Sequence, residues 1–224
     1  MEVLWLSGPA ECRISDASSY IVDLAKETYA EGQHSVLYFF CSTAHRKIPI
    51  AVTFVSTIVY QLARCLPKLK REIANVFLHT LLDTVFGEKT NSNSEVPLFS
   101  AGDSAEVMVK KILRAPSGAY WSALRAVTDI EQETGLSLII DGLDKIEDQK
   151  CEFIQNLLAF IEHLEERQRS SATRVLLTSR PQEEIREILE RLSSIEYDRE
   201  RKGLICPKSY SQDDRVAKNC RMPE

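Results

Sequence analysis

Three segments of this 224-residue chain carry residue types that could do chemistry, and each closes a short apolar run of strand length. The first is Leu4-Trp5-Leu6-Ser7-Gly8-Pro9-Ala10-Glu11-Cys12-Arg13-Ile14-Ser15. Between a strand and a helix, a phosphate-binding loop reads G-x-x-x-x-G-K-[ST]. Its glycines let backbone N–H groups curl toward phosphate, its lysine reaches the β- and γ-phosphates, and its hydroxyl meets Mg2+. Gly8 and Ser15 match that template, whereas the second glycine is Arg13 and the lysine is Ile14. A non-glycine residue at positive φ costs roughly 1 to 2 kcal/mol, and a hydrogen bond to a charged group is worth about 1.5 to 3 kcal/mol. Together these losses, on the order of 3 to 5 kcal/mol, remove about two to four decades of nucleotide affinity. Arg13 could turn its guanidinium toward a phosphate, but Glu11 and Asp16 place two negative charges beside it.

The second segment, Leu138-Ile139-Ile140-Asp141-Gly142-Leu143-Asp144-Lys145, has the form of a Walker B strand. Apolar residues carry an aspartate to the sheet edge, where a carboxylate can hold Mg2+ directly or through water. An ordinary Asp-Gly turn has the same local form; the position of this one, with one expected strand between it and the first segment, favours the metal-linked reading. The third segment, Thr178-Ser179-Arg180-Pro181, ends the next expected strand with a cation able to approach a γ-phosphate. Its bland alternative is a helix start with Pro181 in the first turn and Arg180 in solvent.

The elements that must position these segments are legible as an alternation of short β-rich runs with longer helical patterns, the mark of parallel βαβ units. Strands are expected at Val3–Leu6, Ser35–Cys41, Leu136–Ile140, Arg174–Thr178 and, last and shortest, Ile195–Tyr197. Helices are expected from Asp16 to about Ala30, with Ser15 or Asp16 as cap and Gly32 as stop, then over Ile50–Cys65 and Lys68–Phe86 on either side of Pro67. The second of that pair repeats Leu69, Ile73, Val76, Phe77, Leu81 and Val85 as a core stripe. Both are apolar enough to pair with another chain, though core packing is the favoured use. Residues 88–102 are polar and turn-rich and read as an exposed loop; helices follow at Asp103–Leu113, Tyr120–Glu133, around Phe153–Leu164 and around Ile185–Leu192. The fold class is therefore α/β, a three-layer parallel sheet of about five strands flanked by helices. Residues 1–197 form the domain, and residues 198–224, where periodicity ends in Asp198-Arg199-Glu200-Arg201-Lys202, form a charged, disordered tail.

Composition sets the outer bounds. At about 150 residues per domain the length allows one domain with an appendage, and 44% hydrophobic with 27% charged residues is globular. A net charge of −5, from 28 basic and 33 acidic residues without a one-sign block, makes no electrostatic case for nucleic acid or an anionic membrane. The six cysteines have no zinc- or redox-motif spacing. No signal peptide or membrane-length apolar run is visible, so the expectation is a cytoplasmic protein with reduced thiols whose partners are proteins or small molecules.

LWLSGPAECRIS, LYFFCST, LSLIIDGLDKIED and RVLLTSRP, in this order and spacing, resemble the NACHT-type P-loop NTPase domain of the STAND class, specifically the nephrocystin-3-like N-terminal type abundant in fungal NOD-like receptor proteins. The resemblance covers about residues 3 to 197 and implies a module that elsewhere switches on ATP with Mg2+ and oligomerises. It places the nucleotide-binding positions on Gly8, Arg13 and Ser15, with the loop lysine lost to Ile14. It assigns Mg2+ to Ser15 and Asp141, water polarisation to Asp144 and the sensor role to Arg180. The acidic pair usual after DGL is Asp144-Lys145 here, so one acid has become a base. The reading this implies is a degenerate, truncated NACHT-like domain, non-catalytic or weakly nucleotide-binding, acting through protein partners or self-association. On this reading the sensing and effector regions of such receptors are expected to be missing. The alternative is a working ATP-dependent switch with slow hydrolysis that uses Arg13 in place of the lysine.

Overall fold

The computed structural model describes residues 2–29, 34–42, 48–87, 115–130, 135–167, 173–189, 193–198 and 203–205. The strands are β1 (Glu2–Ser7), β2 (His34–Phe40), β3 (Gly135–Asp141), β4 (Thr173–Ser179), β5 (Ser193–Asp198) and β6 (Gly203–Ile205). The helices among the described residues are α1 (Ile14–Thr28), α2 (Ile50–Cys65), α3 (Lys70–Gly87), α4 (Ser117–Thr128), α5 (Lys150–Arg167) and α6 (Glu183–Leu189). One sheet runs in the order β2-β3-β4-β1-β5-β6. Its first five strands are parallel, and β6 joins β5 antiparallel.

The alternation of strands and helices thus folds into the α/β architecture it predicts. Parallel strands need crossover connections, and the helices in those crossovers cover both faces of the sheet. Alternation within each strand sorts the side chains. Val36 and Ile139 face α1, meeting Val22, with Tyr38, Phe40 and Leu176 packed alongside. Leu37, Phe39, Leu138, Ile140, Val175 and Leu177 belong to the larger core on the opposite face, together with residues of α2, α4, α5 and α6. Phe54 of α2 centres that core, with its ring 5.3 Å from those of Phe39 and Trp121 and 5.4 Å from that of Phe153. Seven residues of α2 are buried, from Ala51 to Leu62, so most of its apolar surface packs into this chain's core, while Tyr60 is 63% exposed. On α3, Ile73 and Leu81 are buried as the stripe predicts, and Leu82 joins them.

Three local expectations are corrected. Neither Ser15 nor Asp16 caps α1: the helix begins at Ile14, and Arg13 precedes it without a side-chain cap. The helix expected over Tyr120–Glu133 instead starts at Ser117, behind Pro116, and ends at Thr128, because proline suits the position just before a first turn. The stretch read as tail contributes β6, whose Leu204 pairs with Tyr197; a three-residue partner held by backbone hydrogen bonds needs no hydrophobic period. The expected loop at 88–102, the helix at 103–113, the Gly32 stop and residues 206–224 lie outside the described residues.

Candidate functional site

β1 lies beside β4 in the middle of the sheet, yet β1 leads through α1 to β2 at one edge, while β4 leads through α6 to β5 on the other side. Crossovers leaving in opposite directions open a crevice at the strands' carboxyl ends, where open α/β sheets hold ligands. A cleft of about 280 Å3 lies there, and Gly8, Arg13, Ser15, Asp141, Asp144 and Arg180 all line it. Residues up to 172 positions apart in the chain therefore meet as the three segments predict (180 minus 8).

The loop from Gly8 to Ile14 is pinned where it leaves β1. Gly8 N–H donates to the Ser179 carbonyl at 3.4 Å, and Trp5 Nε1 donates to Ser179 Oγ at 3.0 Å. A short 3-10 turn, Ala10–Cys12, carries the chain to Arg13, whose φ of 51° and ψ of 39° are left-handed. The template puts its second glycine at this position, so the loop keeps the glycine's conformation without the glycine. The side chain of Arg13 stands at the mouth of the cleft, which Asp16 also lines. Its Nε lies 3.7 Å from Asp16 Oδ2, with both side chains largely in solvent.

Asp141 ends β3 with 1% exposure, and its carboxylate organises the floor of the cleft. Oδ1 accepts from Thr178 Oγ1 at 2.7 Å and from Ser18 Oγ at 3.0 Å. Oδ2 accepts from Ser15 Oγ at 2.8 Å and from Lys145 Nζ at 3.3 Å. A buried carboxylate costs several kcal/mol of desolvation unless donors surround it, and three hydroxyls and an ammonium do so here. Gly142 follows at a φ of 77°. That left-handed residue starts the 3-10 turn Leu143–Lys145 and returns Lys145 over Asp141. Asp144, 8% exposed at its side chain, accepts the Arg180 backbone N–H at 2.9 Å and lies 3.4 Å from Arg180 Nε. The acid assigned to water polarisation and the arginine assigned as sensor are thus partners of one another.

Three participants have no counterpart among the residues singled out from sequence. Ser18 sits one turn beyond Ser15 and is fully buried, and the i+3 spacing on one helix face is the signal that could have found it. Trp5 and Thr178 lie within the quoted segments, but their hydrogen bonds depend on the register Leu6↔Thr178 and Ser7↔Ser179. Beside the floor, Cys41 donates its backbone N–H to the Asp141 carbonyl at 2.8 Å. Burial, aided by the charge of Asp141, pushes its thiol up to about 12.

The residues present do not fit a bound divalent cation between Ser15 and Asp141. Mg2+ takes oxygen ligands at about 2.1 Å in a near-octahedral shell, whereas here the Lys145 ammonium already lies 3.3 Å from both oxygens, so a divalent ion would meet a positive charge at close range. Among the described residues, no group of three His, Cys, Asp or Glu side chains could hold a metal. No helix of the described residues is long and apolar enough to cross a membrane.

Residues 1–112 match the family described as Nephrocystin 3, N-terminal. The match takes in β1, the Gly8–Ile14 loop, α1, β2, α2 and α3, while Asp141, Asp144 and Arg180 lie beyond it. No curated protein matches the chain. With half of its 224 residues matched, from the first strand through the loop that lines the cleft, the chain belongs to the nephrocystin 3 N-terminal family.

Proposed function

We propose that this chain is a NACHT-like domain, related to the STAND-type receptors of fungi, that acts through protein contacts and whose nucleotide cleft is impaired. ATP binds weakly or not at all, and hydrolysis is lost. One observation carries the reading: the position that should send a lysine into the cleft holds Ile14, and the side chain of the neighbouring cation, Arg13, is 84% exposed. The self-pairing of Asp144 with Arg180 supports it, since a water-polarising acid and a phosphate-sensing arginine are most useful when each faces the ligand. For the interaction role, Tyr20 and Leu24, one turn apart on α1, are 68% and 47% exposed; the partner is a protein or a second copy, in the cytoplasm.

The test is restoration of the loop. Isothermal titration of Mg-ATP into the wild-type protein and into the Arg13→Gly, Ile14→Lys double variant should show about one to two decades tighter binding in the variant, from the lysine contact, since the loop already holds the left-handed conformation at position 13. Micromolar binding by the wild-type protein overturns the reading. In that case the ATP-dependent switch with slow hydrolysis replaces it.

A further inference from the structure

The ammonium of Lys145 lies 3.3 Å from Ser15 Oγ and 3.3 Å from Asp141 Oδ2. It is equidistant from one hydroxyl and one carboxylate oxygen, the two groups that a phosphate-loop site offers to its metal ion. Its placement is built into the backbone. Gly142 turns the chain through a left-handed conformation, and the lysine's stem then folds back over that glycine. A Cβ at position 142 would come within 2.9 Å of Lys145 Cδ and Nζ. The lysine side chain is 35% exposed and the carboxylate it meets is 1% exposed, so the positive end points inward and the stem spans the cleft wall.

We infer that Lys145 is the resident cation of this cleft: a tethered ammonium stands at the divalent-cation position between Ser15 and Asp141 and keeps Mg2+ and Mn2+ out. A metal ion there would face the ammonium at close range, and the ammonium would have to leave Asp141 Oδ2 to open a lone pair on the carboxylate. The ammonium meets the same electrostatic need, one positive charge against a buried carboxylate, through two contacts of 3.3 Å. It also ties the first turn of α1 to the end of β3. The inference rests on reading the cleft as a phosphate-loop-type site, but it does not depend on whether nucleotide binds.

The test uses metal alone. Mn2+ is titrated into the wild-type protein, Lys145→Ala and Lys145→Glu, and bound ion is followed by electron paramagnetic resonance, with circular dichroism to check folding. The wild-type protein should bind no Mn2+ at about 1 mM. Lys145→Glu should bind it at least about tenfold more tightly than the wild type, Lys145→Ala should fall between, and adding Asp141→Asn should remove the gain. Wild-type binding below about 1 mM that disappears with Asp141→Asn overturns the inference, and this arm needs no lysine variant to fold. Folded lysine variants that bind no more tightly than the wild type overturn it as well. Titrating ATP in the presence of EDTA keeps the two proposals apart: metal-free ATP binding at micromolar affinity would end the impaired-cleft reading and leave the lysine's role standing.

Discussion

Asp144 is held by Arg180 twice, through the backbone N–H at 2.9 Å to Oδ1 and through the guanidinium Nε at 3.4 Å to Oδ2. The two contacts differ in worth. The guanidinium side chain is 59% exposed, and an exposed ion pair contributes at most about 1 kcal/mol. The backbone donor meets a nearly buried carboxylate, and losing that acceptor costs about 1 to 3 kcal/mol. Urea unfolding should therefore rank Asp144→Ala as more destabilising than Arg180→Ala. Equal losses would mean that the side-chain pair, which both variants remove, and not the backbone contact holds the β4 end.

The bond from Trp5 Nε1 to Ser179 Oγ fastens β1 to β4 between residues that are 4% and 3% exposed. Trp5→Phe leaves the hydroxyl short of a donor, and Ser179→Ala leaves the indole N–H orphaned. Each should cost about 1 to 3 kcal/mol in chemical denaturation. The double variant should lose less than the sum of the two by about 1 kcal/mol, and strict additivity would show that the pair is not energetically coupled.

Thiol chemistry should separate two cysteines sharply. Cys41 is buried with its thiol pushed up to about 12, so at mildly alkaline pH almost none of it is the nucleophilic thiolate. Cys151, at the start of α5, is exposed. Peptide mapping after brief treatment with iodoacetamide should find Cys151 modified and Cys41 modified only once the protein is unfolded. Labelling of Cys41 at the rate of Cys151 in the native protein would contradict the packing around β2.

His34 gives stability a pH dependence. Its ring stacks on Tyr29 at 3.8 Å and its Nε2 lies 2.8 Å from Ser137 Oγ. Burial, and then the charge of Arg174, lower its pKa from 6.5. The unfolded chain thus binds the proton more readily than the folded one. The contribution to stability is full above the unfolded value of 6.5 and is lost as pH falls through it toward the folded value. Melting temperature should drop on going from about pH 7.5 to about pH 5, and His34→Gln should flatten part of that slope. An unchanged slope would remove His34 from the account.

Much of this architecture is legible in the residues because parallel strands buried on both faces read as unbroken apolar runs, as Val36 to Phe40 and Leu138 to Ile140 do. The helix at Ile50–Cys65 has the same bounds in sequence and structure, because Pro49 and Pro67 punctuate it from outside. The cleft residues were findable from a template that fixes spacing. What the template does not contain stayed hidden. Ser18 is an ordinary polar residue in a helix until Asp141 arrives opposite it. Lys145 reads as a surface charge until the left-handed turn at Gly142 folds it back. The conformation of Arg13 belongs to the loop rather than to the residue type, so its identity alone argues against the backbone it adopts.

The strand order has a consequence for how the protein is made. The family-matched residues 1–112 supply β1 and β2, but β3 and β4 stand between those two strands in the sheet. That segment therefore holds no complete sheet of its own. Trp5 emerges 174 residues ahead of Ser179, which at roughly 5 to 20 residues per second is an interval of roughly 9 to 35 s. Through that interval an apolar strand waits on the ribosome with both edges open, the situation in which chains pair with wrong neighbours. Until β4 is made, β1 lacks the neighbour that fills the centre of the sheet.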